Sequence, residues 1–326
     1  MDQHNAANSP IVQAVIVTWN KKKDVLRLPE CLKNIDYPKD RLFVPVVDNA
    51  STDGTAETIA SDYPEIGLLR NPENLGGAGG FNAGMRWSLQ NRSDAEYLWL
   101  LDNDVLADKN ALKALVSVME KNPNAAICGS KIMDIANPRE MIELGAFIDY
   151  CFGDVARHTP SAEALKDPNA VFRVDYVAAC SLLARTSAVR KMGLWHEKFF
   201  IYWDDMEWGA RFKTAGYEVL AANASVVLHP SWIGRTSDHS AVCRCYYRTR
   251  NSLWFFSQYC TGIKRRVLLC RMIFRYMKIA LAVHLRADAA LGNAFVRGIR
   301  DFFQNSFGKK TLPRPVFPEN RNPGGL

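Results

Sequence analysis

Short unbroken apolar runs alternate with amphipathic segments along the first third of the chain. Residues 14–18 (AVIVT), 43–47 and Gly67–Arg70 are such runs, and each stops at polar residues, the pattern of strands buried on both faces. Between the first two, Val25, Leu28, Leu32 and Ile35 recur at helical spacing and predict a helix over residues 23–34. Residues 56–62 predict another, with Ser51, Thr52 or Asp53 available as its N-cap. A glycine-rich stretch, residues 74–82, reads as a loop leading into a helix over 84–89. The next run, residues 97–101 (YLWLL), predicts a fully buried strand that ends abruptly at Asp102-Asn103-Asp104.

Strands alternating with helices through short polar connections predict an α/β fold with a mainly parallel sheet. In such sheets ligands bind beyond the carboxyl ends of the strands, where Asp48, the glycine-rich stretch and Asp102/Asp104 all fall. Further along, residues 108–121 predict a helix and 126–132 a strand. Residues 137–170, broken by Pro138, Gly145, Gly153, Pro160 and Pro168, read as loops and short strands walling an acceptor side. Residues 174–184 predict a strand, and residues 218–222 and 224–228 two more, the second running into His229.

The candidate chemistry sits where these strands end. Side chains alternate along extended chain, so Asp102 and Asp104 can leave the strand end on one side. Two hard carboxylate oxygens there suit Mn²⁺ or Mg²⁺ together with phosphate; the alternative is an acidic strand-end turn. Asp48 can accept from a base N–H or shape an Asx-turn. Gly76, Gly77, Gly79 and Gly80 allow close backbone approach to a ligand but match neither the GxGxxG nor the P-loop spacing. Asp204, Asp205 and Glu207, flanked by Trp203 and Trp208, open a predicted helix. That cluster can complement the helix dipole, or it can supply an acceptor site with an aromatic sugar platform and a carboxylate base. His229 reads either as a satisfied core histidine or as a third metal ligand.

Composition adds three limits. The chain has 326 residues, of which 48% are hydrophobic and 23% charged, ordinary for a large globular domain with an appendage. Eight cysteines form no CxxC pair and read as reduced thiols; with a polar stretch up to Pro10 and no long uncharged apolar run, they predict a cytoplasmic protein. The net charge of +7 is concentrated: fourteen Lys/Arg face only Asp288 and Asp301 between residues 244 and 310. A basic module confined to one segment, without nucleic-acid readout motifs, argues against a nucleic-acid partner.

Taken together the motifs resemble the inverting family 2 glycosyltransferases of the GT-A fold. The matching pieces are VTWN (17–20), VVDNASTDGT (46–55), NLGGAGGFNAG (74–84), LLDND (100–104), WDDMEWGARFKTAGY (203–217) and VVLHPSW (226–232), in the family's order. The resemblance implies a Rossmann-like domain over residues 1–240 that binds a nucleotide-diphosphate sugar through Thr18, Asp48, Asn74, Gly76, Gly77, Asp102 and Asn103. It implies Asp102, Asp104 and His229 as metal ligands, Asp205 as catalytic base, and Trp203, Asp204, Glu207 and Trp208 on the acceptor side. The acidic motif, Glu-Asp-x-Asp in most of the family, is Asp204-Asp205-Met206-Glu207 here. With His229 twenty-four residues beyond Asp205, it resembles the galactofuranosyltransferase branch, which implies UDP-galactofuranose as donor. Rhamnosyltransferases using dTDP-rhamnose share most of these motifs, and a binding protein that has lost catalysis is the non-enzymatic alternative.

Residues 246–251 resemble the family's Tyr-x-x-Arg-Asn segment. Residues 241–308 predict a basic helical region and 309–326, with Pro313, Pro315, Pro318 and Pro323, an extended or disordered tail. Lys264, Arg271, Arg275, Lys278 and Arg286 fall within about a quarter of a helical circumference at ~100° per residue. That stripe can face an anionic lipid surface, giving peripheral association with the inner face of the plasma membrane and access to a lipid-linked glycan, or it can be the solvated side of a packed helix.

Overall fold

The apolar runs of the N-terminal part become the centre of one mixed sheet in a computed structural model that describes residues 9–231, 239–286 and 288–312. The chain divides into one unit of Met1–Asp149 with Asp154–Ser231, and another of Tyr150–Gly153 with Trp232–Leu326. Trp232 and the proline-rich residues 313–326 lie outside the described residues.

The first unit opens with β1 (Val12–Thr18), α1 (Lys22–Val25), α2 (Arg27–Lys33), β2 (Leu42–Phe43), β3 (Pro45–Asp48), α3 (Thr55–Asp62) and β4 (Gly67–Arg70). Next come α4 (Gly76–Asn91), β5 (Tyr97–Asp102), β6 (Leu106–Ala107), α5 (Ala111–Lys121) and β7 (Ala125–Asp134). The segment 141–173 carries β8 (Met141–Glu143), the antiparallel pair β9 (Ala146–Asp149) and β10 (Asp154–Arg157), then α6 (Ala162–Lys166) and β11 (Val171–Arg173). Last are β12 (Ser181–Arg185), α7 (Thr186–Met192), α8 (Asp204–Thr214) and β13 (Glu218–His229).

The sheet runs β11-β13-β7-β12-β5-β1-β3-β4. The pairs β5/β1, β1/β3, β3/β4 and β7/β13 are parallel, and β12 is inserted antiparallel between β5 and β7. Both faces are covered, as the unbroken apolar runs require. Along β5, Tyr97, Trp99 and Leu101 enter the core beneath α5, while Leu98 and Leu100 enter the opposite core under α4 and α8. The architecture is the α/β fold with a mainly parallel central sheet that the apolar runs predict.

Several elements differ from the sequence expectation for local reasons. The helix over 23–34 is two helices broken at Leu26. The 43–47 run breaks at Val44 ahead of Pro45, which has no N–H to donate to a ladder. Gly54, with φ +81°, occupies the N-cap of α3, and Asp53 accepts from the Thr55 N–H instead. Residues 218–228 form one strand with a register shift between Ala222 and Val226, and of residues 174–184 only Ser181–Arg185 pairs as a strand.

The glycine-rich stretch is corrected more deeply. It is the first turns of α4, not a loop. A Cβ on Gly80 would stand 2.6 Å from Val17 and 2.7 Å from Asn49; one on Gly84 would stand 2.3 Å from Val15 and 3.0 Å from Val47. These glycines let the helix press onto β1 and β3. Gly84→Ala should therefore cost about 1–3 kcal/mol by overpacking, read as a lower melting temperature in thermal denaturation.

The second unit contains α9 (His239–Tyr259), α10 (Gly262–Leu285) and α11 (Ala289–Phe303). The fully buried Arg250 centres it, donating to the carbonyl of Gly308 at 2.8 Å and to Asn251 Oδ1 at 2.9 Å among the rings of Tyr246, Tyr247 and Phe307. Tyr246 Oη donates to Asp301 at 2.6 Å. The Tyr-x-x-Arg-Asn segment is thus the core of this unit. Residues 309–312 are tied to it, because Lys310 N–H donates to Tyr247 Oη and Leu312 is buried.

Candidate active site

The parallel strands β1, β3 and β5 end side by side, with Thr18 opposite Asp48 and Val17 opposite Asp102 in the ladders. Thr18 is buried and its Oγ1 accepts from Asn103 Nδ2 at 2.9 Å. Asp48 is also buried; Oδ2 accepts from the Ser51 N–H, whereas no donor among the described residues reaches the buried Oδ1. An orphaned buried acceptor is costly unless a ligand supplies a donor. Beside it, Asn20 and Ala50 hold left-handed backbone, at φ 50° and 60°. Trp19, half exposed next to Thr18, is an aromatic surface that the motifs alone do not assign to the site.

Two polar groups expected at the donor are engaged in seating α4. Asn74 Oδ1 accepts from the Gly76 N–H at 2.8 Å, and the Gly76 carbonyl accepts from Asn49 Nδ2 at 2.9 Å. Gly77 lies close to Asp204, whose carboxylate oxygen is 3.5 Å from where a Gly77 Cβ would stand.

The short strand β6, just past Asp104, pairs antiparallel with β13 and brings the acidic turn to His229. His229 Nε2 is 3.4 Å from Asp104 Oδ1 and 3.9 Å from Asp102 Oδ2, and one ligand atom from each of the three residues lies within 4.8 Å of the others. Desolvation in the crevice, then the charge of Asp104, push Asp102 up to about 6 against the pull of His229. Burial alone would raise Asp104, but the hydrogen bond and charge of His229 hold it below the usual carboxylate range. Burial alone would lower His229; Asp104 and Asp102 raise it instead. Two carboxylates and an imidazole in this arrangement fit a divalent cation, which would compete with protonation of His229.

The turn before α8 is strained. Phe200, Tyr202 and Trp203 have φ of 66°, 65° and 73°, unusual for non-glycine residues, and such strain clusters at functional sites. It delivers two adjacent carboxylates to different environments. Asp204 is buried, and burial followed by the charge of Asp205 raises it well above the usual carboxylate range. Asp205 is partly exposed; Oδ1 accepts from the Met206 N–H at 2.8 Å and Oδ2 from the Ala179 N–H at 3.4 Å. Desolvation raises it to about 6 despite those amides, leaving an ionised carboxylate of enhanced basicity at neutral pH.

The remaining acceptor-side expectations fall on buried side chains. Trp208 is fully buried between Trp195 and Phe212, with Nε1 donating to the Gly193 carbonyl. Glu207 is buried and accepts two hydrogen bonds from Arg211, whose guanidinium also ties the carbonyls of Met192 and Leu194. Trp203 is 4% exposed. Trp208 and Glu207 thereby anchor α8.

Glu143, on β8, escapes a reading of the sequence, because nothing in its neighbourhood of sequence marks it. Its Oε2 accepts from Tyr176 Oη at 3.1 Å, and Oε1 is buried, with the Ala178 backbone N–H beside the carboxylate. Burial, then the negative charge of Asp205, raises it to about 7. Charge coupling with Asp205 is the signal that finds it, and that appears only in three dimensions.

The chain is similar in sequence and fold to known glycosyltransferases. The chain is 26% identical over 240 residues to an N-acetylglucosaminyl-diphospho-decaprenol L-rhamnosyltransferase of Mycobacterium tuberculosis, covering 67% of this chain and 76% of that protein. It is 23% identical over 264 residues to the galactofuranosyltransferase GlfT2 of Mycolicibacterium smegmatis, covering 73% of this chain but 39% of that longer protein. Among solved structures, the mannosyltransferase PcManGT from Pyrobaculum calidifontis, in complex with GDP-Man and Mn²⁺, superposes with a TM-score of 0.56 at 14% identity, covering 92% of this chain and 89% of that one. S. aureus TarS (residues 1–349) in complex with UDP-GlcNAc gives 0.55 at 16% identity, covering 90% and 81%. Residues 97–291 match the model of glycosyl transferase family group 2. Residues 13–180, just over half of the chain, match the model of glycosyl transferase family 2, and the chain belongs to that family.

Proposed function

We propose that the protein is a cation-dependent, inverting hexosyltransferase that extends a lipid-linked cell-surface glycan from a nucleotide-diphosphate sugar. One observation carries this reading: Asp102, Asp104 and His229 bring one ligand atom each to within 4.8 Å of the others at the strand ends, the donor set a divalent cation takes. Asp48, with its orphaned Oδ1, takes a base N–H; Thr18 and Asn103 flank the ribose and diphosphate side. A divalent cation bound by Asp102, Asp104 and His229 would stabilise negative charge on the departing diphosphate. Asp205 removes the proton from the acceptor hydroxyl as its oxygen attacks the anomeric carbon from the face opposite the leaving group, which inverts that centre. Asp204 is buried, where its charged form is disfavoured.

UDP-galactofuranose is the favoured donor, on the Asp204-Asp205 pair and its spacing to His229. dTDP-rhamnose is the second reading, supported by the rhamnosyltransferase relative that aligns over most of its own length. That relative's name carries a polyprenyl-diphosphate acceptor, which supports a lipid-linked glycan here and a peripheral location on the inner face of the plasma membrane. Transfer from the two donors, assayed side by side with Mn²⁺ and a synthetic polyprenyl-diphosphate glycan, tests both readings. Turnover with neither nucleotide sugar removes both.

Glu143 and Tyr176 belong to the acceptor side of this scheme. Glu143→Gln should lower kcat/KM for the acceptor about tenfold, the worth of one hydrogen bond to a hydroxyl, while the KM for donor in donor hydrolysis stays unchanged. An equal rise in both KM values would remove Glu143 from the acceptor side.

A further inference from the structure

Helix α10 carries two apolar faces, and only one of them is used. Leu268, Met272 and Ala280 are buried on one side, where Tyr276 meets Ser252 of α9 at 2.8 Å and stacks on Phe295 of α11. On the opposite side Ile263, Val267, Phe274, Met277, Leu281 and Leu285 are 70%, 51%, 67%, 45%, 61% and 77% exposed. At ~100° per residue these six fall within an arc of about 80°. Of fourteen exposed large apolar side chains among the described residues, seven are on this helix. A soluble surface scatters such residues singly; a contiguous stripe marks an interaction face.

The charge along the stripe selects its occupant. α10 holds Lys264, Arg265, Arg266, Arg271, Arg275 and Lys278 and no acidic residue, with Arg286 at its C-cap. Lys264, Arg271 and Lys278 border the apolar arc on one side and Arg266 on the other, where long stems can lie along apolar surface and present the charge at its edge. Two of the cations are also structural. Arg271 donates to the Cys151 carbonyl at 3.3 Å and covers the ring of Phe152, and Arg275 donates to the carbonyls of Phe152 and Gly153. They clamp the Tyr150–Gly153 turn to the helix and hold Phe152, 59% exposed, beside the stripe.

We infer that the Ile263–Leu285 stripe of α10 is a membrane-surface contact that inserts its apolar arc at the headgroup boundary of an anionic bilayer, with Phe152 at its edge. This deepens the membrane location in the proposed function, and it moves the contact from the basic stripe expected from sequence to the apolar arc beside it. The helix lies in the interface plane: no helix among the described residues is long and apolar enough to cross a membrane. A second copy of the chain is the wrong occupant. A two-fold contact would set the same cation-rich, acid-free face against itself, whereas anionic lipid headgroups neutralise it.

Flotation of the full chain with vesicles tests this. The wild type should float with vesicles of about 30 mol% phosphatidylglycerol, and more weakly with pure phosphatidylcholine. Phe274→Ser with Leu281→Ser should reduce vesicle binding by at least about tenfold. Lys264→Gln with Lys278→Gln should weaken it several-fold at low salt and flatten its salt dependence. Vesicle binding by the Phe274/Leu281 variant equal to wild type would overturn the inference. So would a wild-type dimer that this variant converts to monomer with lipid binding unchanged. Transfer to a soluble oligosaccharide acceptor, measured on the same preparations, should be equal in all three proteins. Its loss in every one of them strikes the transferase reading, and loss of flotation alone strikes this one.

Discussion

Asp205→Asn is expected to lower kcat by about 10²–10⁴-fold, the range for removing a positioned general base, while nucleotide-sugar binding stays near wild type. The amide keeps the shape, and its single oxygen can keep the shorter hydrogen bond, from the Met206 N–H at 2.8 Å, giving up only the 3.4 Å contact with the Ala179 N–H, so the fold should tolerate it. The adjacent Asp204→Asn is the control that gives this experiment its force. Asp204 is buried, and burial with the charge of Asp205 disfavours its ionised form, so a neutral amide is a mild replacement there. It should retain at least about tenfold more activity than Asp205→Asn. The pH profile provides an independent check. A base works only when ionised, so with Asp205 raised to about 6 the rate should climb with pH through that region and then level off. A cation at Asp102 and Asp104 adds positive charge nearby and draws this limb toward lower pH. Wild-type turnover in Asp205→Asn, measured with saturating donor and Mn²⁺, would assign the proton transfer elsewhere.

Loss of His229 should reveal the metal site just as plainly. His229→Ala is expected to raise the Mn²⁺ concentration needed for half-maximal rate by about one to two orders of magnitude, and Asp104→Asn by at least as much. The sign of the pH dependence follows from the pairing. In the absence of a cation His229 is raised by Asp104 and Asp102, so it holds a proton below its shifted pKa and must release it to coordinate. Apparent Mn²⁺ affinity should therefore fall as pH drops, and this fall should be shallower in His229→Ala. Mn²⁺ binding followed by electron paramagnetic resonance, without turnover, separates the effect from catalysis. Unchanged binding isotherms in both variants would remove His229 and Asp104 from the site.

Much of this protein is determined by local sequence. Strands buried on both faces need continuous apolar runs, so β1, β5 and β7 are legible, as is the alternation that makes the sheet largely parallel. Carboxylates that follow directly on such runs mark a crevice by their place in the chain alone. Periodicity is silent about what packs on what. The glycines of α4 read as a ligand loop because closeness to Val15, Val17 and Val47 leaves no local signature. Trp203 and Trp208 read as a sugar platform in sequence, and that both are buried, as is Glu207, is visible only in the structure. Glu143 stands in no motif, and only the sheet brings it within the field of Asp205. The unused face of α10 is likewise a tertiary result: sequence shows that the helix is basic and apolar, but which apolar side the neighbouring helices cover is set by packing. What the sequence determined by itself was the inventory of donors, acceptors and apolar runs. The tertiary structure decided which of them are spent in the core and which remain for a ligand, because burial and charge coupling depend on neighbours far apart in the chain.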